Sequence, residues 1–77
     1  MKYIKKDAVN HPAHYTKYPF EVIDIIENVT KHYPNDLGFL IGNSLKYILR
    51  APFKGKPLED LKKSQFYLNR AISTLES

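Results

Sequence analysis

Apolar residues recur at helical spacing in three stretches of this chain, and turn-forming residues separate them. From about Pro19 to Lys31, Phe20, Val22, Ile23, Ile25, Ile26 and Val29 make a broad apolar face, while Glu21, Asp24 and Asn28 line the other side. Proline suits the first turn of that helix because its missing N–H would be unpaired there. His32-Tyr33-Pro34-Asn35-Asp36 reads as a turn, with Asn35 as the N-cap of a second helix running from about Asp36 to Arg50 or Ala51. Pro52 ends it, since a residue before proline is steered away from helical geometry. Phe53 to Lys56 form a loop whose flexible point is Gly55, and a third helix runs from about Pro57 to Leu75. Leu58, Leu61, Leu68, Ile72 and Leu75 mark a heptad-like stripe on it, interrupted by Gln65. Residues 1–18 have no sustained period and carry Asn10, Pro12 and the Tyr18-Pro19 pair, so they read as an arm. The pattern predicts one all-α domain over residues 1–77: a compact three-helix fold in which an ordered N-terminal arm precedes helices spanning residues 19–75.

The polar positions of the second helix are as ordered as its apolar ones. At ~100° per residue, Asn43, Lys46, Tyr47 and Arg50 fall within ~100° of arc, opposite Ile41, Leu45, Ile48 and Leu49. Two cations, an amide and a phenol on one face suit a phosphate and a flat base. The stripe continues into Lys54-Gly55-Lys56, where two ammoniums flank a residue that lets backbone N–H groups approach an anion, just before the positive end of the third helix. The third helix carries its own polar stripe, Asp60, Lys63, Tyr67 and Arg70. If the two stripes converge, within one subunit or across an interface, they form a basic pocket with aromatic walls.

Charge and composition narrow the picture. The net charge is +4, from 12 basic and 8 acidic residues, which favours an anionic partner. Lys2, Lys5, Lys6, Lys17, Lys31, Lys62 and Lys63 are scattered, with no groove-reading helix among them, so nucleic acid is not the expected partner. There is no cysteine, hence no disulfide and no thiolate zinc site. A 77-residue chain without staples has a marginal core, so a homo-oligomer is expected. No apolar run approaches ~20 residues, and none follows the N-terminal Met-Lys-Tyr-Ile-Lys-Lys, so a cytoplasmic protein with neither a membrane span nor a signal peptide is expected.

His11 and His14, with Tyr15 beside them, are spaced like metal ligands or a proton relay, but no H-E-x-x-H pattern accompanies them. Hydrogen bonding from these three to a ligand is the better reading. Glu21, Asp24 and Glu27 are spaced to hold magnesium, yet Glu21 and Asp24 also sit where a helix start favours negative charge, and the latter reading is preferred. No phosphate loop, nucleophile elbow or cysteine nucleophile exists. Thus no catalytic residue, metal or cofactor is assigned.

Four ordered blocks carry a family resemblance over about residues 9–72. They are Val9-Asn-His11-Pro-Ala-His14-Tyr15, Glu21-Val-Ile-Asp24-Ile-Ile-Glu27, Gly42-Asn43-Ser-Leu-Lys46-Tyr47-Ile-Leu-Arg50-Ala, and Glu59-Asp60-Leu-Lys-Lys63 with Tyr67-Leu-Asn-Arg70. The chain resembles a family of small phage proteins labelled nucleotide-kinase-like, or SaV-like after a lactococcal phage protein. Where members usually have Ala-Gly-Lys-Lys after the arginine, this chain has Ala51-Pro52-Phe53-Lys54. The resemblance implies a phage protein that handles nucleotides.

The ligand-binding set expected from these readings is His11, His14, Tyr15, Asn43, Lys46, Tyr47, Arg50, Lys54, Lys56, Tyr67 and Arg70. These residues account for binding a phosphate-bearing nucleotide better than for turning it over. Sequestration of a host immune signalling nucleotide, an anti-defence role, therefore ranks first. A nucleoside monophosphate kinase-like enzyme is the alternative, and a nucleic-acid-binding or host-protein-binding adaptor ranks third.

Overall fold

A computed structural model describes residues 18–77. The expected arm, with His11, His14 and Tyr15, lies outside the described residues. Three helices, α1 (Val22–Thr30), α2 (Asn35–Arg50) and α3 (Pro57–Glu76), follow in order, with a single 3₁₀ turn, Ala51–Phe53, between the last two. α2 lies in the middle and packs on both neighbours, whereas α1 and α3 hardly touch. The helices therefore form an open layer rather than a closed bundle.

The ends of the helices depart from expectation in instructive ways. Helix α1 begins at Val22, not Pro19, because Tyr18 and Phe20 are held in a bend. Their rings stack at 5.1 Å, Phe53 meets Tyr18 edge-on at 5.1 Å, and the Tyr18 hydroxyl donates to the Leu49 carbonyl at 2.5 Å. That hydrogen bond satisfies one of the carbonyls that a helix leaves open at its C-terminal end. Asn35 is the first residue of α2 and not its cap. Pro34 takes the cap position in extended geometry (φ −58°, ψ 157°), and its carbonyl accepts from Gly38 at 2.7 Å. Pro52 ends α2 by removing an N–H rather than by bending Ala51 away, since Ala51 keeps helical angles (φ −52°, ψ −42°) and tightens into the 3₁₀ turn.

Small side chains set the spacing of the layer. Gly38 and Gly42 face α1, where a side chain at Gly42 would meet the Ile26 and Thr30 methyls at 3.3 Å. Toward α3, Ser44 Oγ donates to the Ser64 carbonyl (3.1 Å) and accepts from the Ser64 hydroxyl (2.7 Å), with both serines buried. The buried apolar residues, Val22, Leu37, Ala51 and Ala71, are few, and two of them are alanines. Of the apolar faces read from the sequence, Ile41, Leu45 and Leu49 are half-buried, while Phe20, Ile23 and Ile48 are exposed.

The rotation of α3 corrects the simplest reading of its leucines. Such a stripe is the usual packing face of a helix, but α3 buries Asp60, Ser64 and Ala71 against the layer and leaves Leu58, Leu61, Leu68, Ile72 and Leu75 exposed. Buried positions at 4- and 7-residue spacing fit one helical face; they are simply polar or small.

The two glycines of α2 should respond differently to substitution. Gly42→Leu overpacks the α1 seam and lowers stability by about 1–3 kcal/mol. Gly38→Ala meets only ordinary contacts (3.4 and 3.6 Å from Thr30) and gains up to about 1 kcal/mol of helix propensity. Thermal melts followed by circular dichroism should show the first variant melting earlier than the parent chain and the second no earlier.

Candidate cationic site on the central and third helices

The polar stripes of α2 and α3 converge within one chain. Tyr47 and Tyr67 stack with ring centroids 6.0 Å apart and planes 9° from parallel. Three cations surround the Tyr47 ring: Lys46 Nζ at 4.8 Å, the Arg50 guanidinium carbon at 5.3 Å and Lys63 Nζ at 5.4 Å from its centroid. The electron-rich face of a phenol attracts each of them and offsets part of their mutual repulsion. Phe39 and Phe66 meet Tyr67 edge-on, at 6.3 and 5.2 Å, and prop it from the sides.

Beyond Arg50 the seam opens into a cleft of about 280 Å³ lined by Arg50, Lys54, Lys56, Glu59, Asp60 and Lys63. Four cations there face two carboxylates. Gly55, at φ +79°, turns the loop so that Lys54 and Lys56 flank the cleft, a conformation that side chains larger than hydrogen resist. Glu59 lies between Lys56 (3.9 Å) and Lys63 (3.6 Å). Those exposed pairs add little stability, so both ammoniums remain available to an anion.

Asp60 has a different role. Its residue is only 2 % exposed, and Arg50 Nε lies 3.4 Å from each carboxylate oxygen. It also sits in the first turn of α3, where the helix dipole favours a negative charge. Arg50, whose side chain is 34 % exposed, thus pins α2 to α3 through its Nε and turns the rest of its guanidinium toward Tyr47 and the cleft.

The eleven sequence-predicted ligand residues divide accordingly. Lys46, Tyr47, Arg50 and Tyr67 gather around the ring stack, and Lys54 and Lys56 join Arg50 at the cleft. Asn43 lines a larger groove of about 690 Å³ between α1 and α2, which Lys46 borders, and its amide donates to the Phe39 carbonyl. Arg70 is exposed, and no ring contact or ion pair among the described residues draws its guanidinium into the cluster. His11, His14 and Tyr15 lie outside the described residues.

Sequence reasoning left Lys63 and Asp60 out of the site, although both stand on the stripe that carries Tyr67. Their signal was the facing of two polar stripes across a proline-glycine turn. The ring of Tyr47 is also not an open stacking surface, because Tyr67 and three cations already engage it. The cluster is suited to holding a multiply charged anion. Among the described residues, no three of His, Cys, Asp and Glu come together where they could hold a metal ion. No helix there is long and apolar enough to cross a membrane.

Arg50 therefore holds a structural position as well as a place at the cleft. Arg50→Ala strands a buried carboxylate and should cost about 3 kcal/mol, the low end for breaking a buried pair, because the arginine is partly solvated. Arg50→Met combined with Asp60→Leu should recover most of that loss, and Lys46→Ala should stay within about 0.5 kcal/mol of the parent. Urea denaturation of the four chains checks this, and additive losses in the double variant would contradict the pairing.

No curated protein and no solved structure matches the chain. The sequence model of a family described as a protein of unknown function (DUF3310) matches residues 9–69, which takes in the α1 and α2 helices and most of α3. With well over half of its length matched, the chain belongs to the DUF3310 family.

Proposed function

We propose that the cationic seam between α2 and α3 captures a phosphate-bearing nucleotide and holds it without converting it. The observation that carries this reading is the arrangement of Arg50, Lys54, Lys56 and Lys63 around one cleft, beside the Tyr47–Tyr67 stack. Ammonium and guanidinium groups presented by a helix end and a glycine turn are the chemistry of phosphate binding. The tyrosine stack supplies an aromatic wall next to it, against whose edge a base can lie.

The same groups argue for retention over turnover. Phosphoryl transfer needs two nucleotides in line and a residue to orient the nucleophile. Of the two carboxylates at this cleft, Asp60 is buried and engaged by Arg50, while Glu59 makes only exposed pairs with Lys56 and Lys63. What the cleft offers is charge neutralisation. The resemblance to nucleotide-kinase-like, SaV-like phage proteins supports a nucleotide as the ligand class and keeps the kinase as the alternative activity. In a phage protein of the infected host's cytoplasm, capture without turnover would remove a nucleotide immune signal from its receptor, an anti-defence role.

Thermal-shift screening against mono-, di-, cyclic and ADP-ribose-type nucleotides, followed by mass analysis of the released ligand, tests this. The expected result is stabilisation by a nucleotide that is recovered unchanged after denaturation. Lys54→Ala with Lys56→Ala should weaken that binding at least tenfold while leaving the unliganded melting temperature near the parent's, since both residues are exposed. Conversion of a monophosphate in the presence of a triphosphate donor would establish the kinase instead. Equal affinity in the parent and the double variant would remove the ligand from this cleft.

A further inference from the structure

We infer that the exposed stripe of α3 is a self-association surface, on which two copies of this chain pair helix against helix. This goes beyond the nucleotide reading and does not depend on it. Leu58, Leu61, Gln65, Leu68, Ile72 and Leu75 follow one another at intervals of three, four, three, four and three residues. That is an unbroken a/d heptad seam through nearly the whole 20-residue helix. Leucine fills every d position (61, 68 and 75), and the single polar residue, Gln65, stands at the central a position. One buried polar a residue in an otherwise apolar seam is the device by which coiled coils fix register and copy number, at some cost in stability.

Among the described residues, nothing covers this seam. Leu58 is 66 % exposed, Leu61 48 %, Leu68 42 %, Ile72 44 % and Leu75 69 %. α3 already buries Asp60, Ser64 and Ala71 against α2, so its leucines project from a different side of the helix. By the same angular count Ile48 of α2, also exposed, continues the apolar side of the layer.

Size favours a second copy as the occupant. The five exposed leucine and isoleucine side chains of the seam present on the order of 500 Å² of apolar surface per chain, hence about 1,000 Å² across a two-fold pair, the lower threshold for a specific interface. A heptad seam is also self-complementary, as a two-fold interface requires. The thin core, with four buried apolar residues among the described ones, gives the pairing an energetic reason. In such a pair Lys63 stays on the flank of α3 away from the seam, so each copy keeps a cationic cleft open to solvent.

Light scattering coupled to size-exclusion chromatography, over a wide concentration range, tests the inference. The parent chain is expected to run as a dimer or a multiple of it. Leu61→Glu with Leu68→Glu should halve the mass at unchanged helicity, and Gln65→Leu should tighten association or change the copy number. The chain contains no cysteine, which permits a second measurement that does not depend on the glutamate variant folding. Gln65→Cys should give a covalent dimer with a short bis-maleimide, whereas Arg70→Cys, on the other side of α3, should not. A monomeric parent chain, with the stripe open or covered by residues 1–17, overturns the inference. So does an oligomer whose mass survives the glutamates, or equal cross-linking at positions 65 and 70.

Discussion

The rotation of α3 about its own axis is the constraint on which the other features rest, and three contacts set it. Asp60 is buried against Arg50, the Ser64 hydroxyl and carbonyl meet Ser44, and Tyr67 stacks on Tyr47. Spaced along about two turns, these contacts hold one face of the helix against α2. Rotating α3 to bring its leucines inward would strand a carboxylate and two hydroxyls in the seam or return them to water with nothing in their place. Buried polar groups are costly when unpaired, so satisfied pairs of this kind select one arrangement among several that would bury similar apolar area.

That rotation separates the layer into two unlike sides. On one side lie the Tyr47 ring, its three cations and the Lys54–Lys56 loop; on the other lie the leucines. The cations are held unequally. Arg50 is held by a buried partner and orders the seam, while Lys54 and Lys56 stand on an exposed loop whose geometry depends on Gly55. Lys63 and Lys46 fall between, placed by the aromatic ring that both approach.

Helix number and approximate bounds were legible in the sequence because prolines and glycines punctuate strong 3.6-residue periods. α3 was expected over Pro57–Leu75 and runs Pro57–Glu76; α2 differs by one residue at its start. The start of α1 was misplaced because a long-range hydrogen bond, Tyr18 to Leu49, decides it, and periodicity carries no such information. The stripe on α2 was legible as a set of residues. Its meeting with α3 was conditional, since hydrophobicity points to the leucines as the inner face. The competing signal was present in Asp60, Ser64, Tyr67 and Ala71, which fall on one side of a helix, but small and polar residues announce a contact only when their partners are known. DUF3310 membership bears on lineage and leaves the chemistry to be argued from the side chains.

The open-layer arrangement has a kinetic corollary. Each helix packs mainly on the one that precedes or follows it, so most contacts are short in sequence, as in two helical hairpins that share α2. Chains of such low contact order fold in roughly microseconds to milliseconds. The α2–α3 hairpin, which holds the Arg50–Asp60 and Ser44–Ser64 contacts, has the means to form before α1 docks. Nascent chains would thus acquire the cationic seam as the last helix emerges, with no distant segment to wait for.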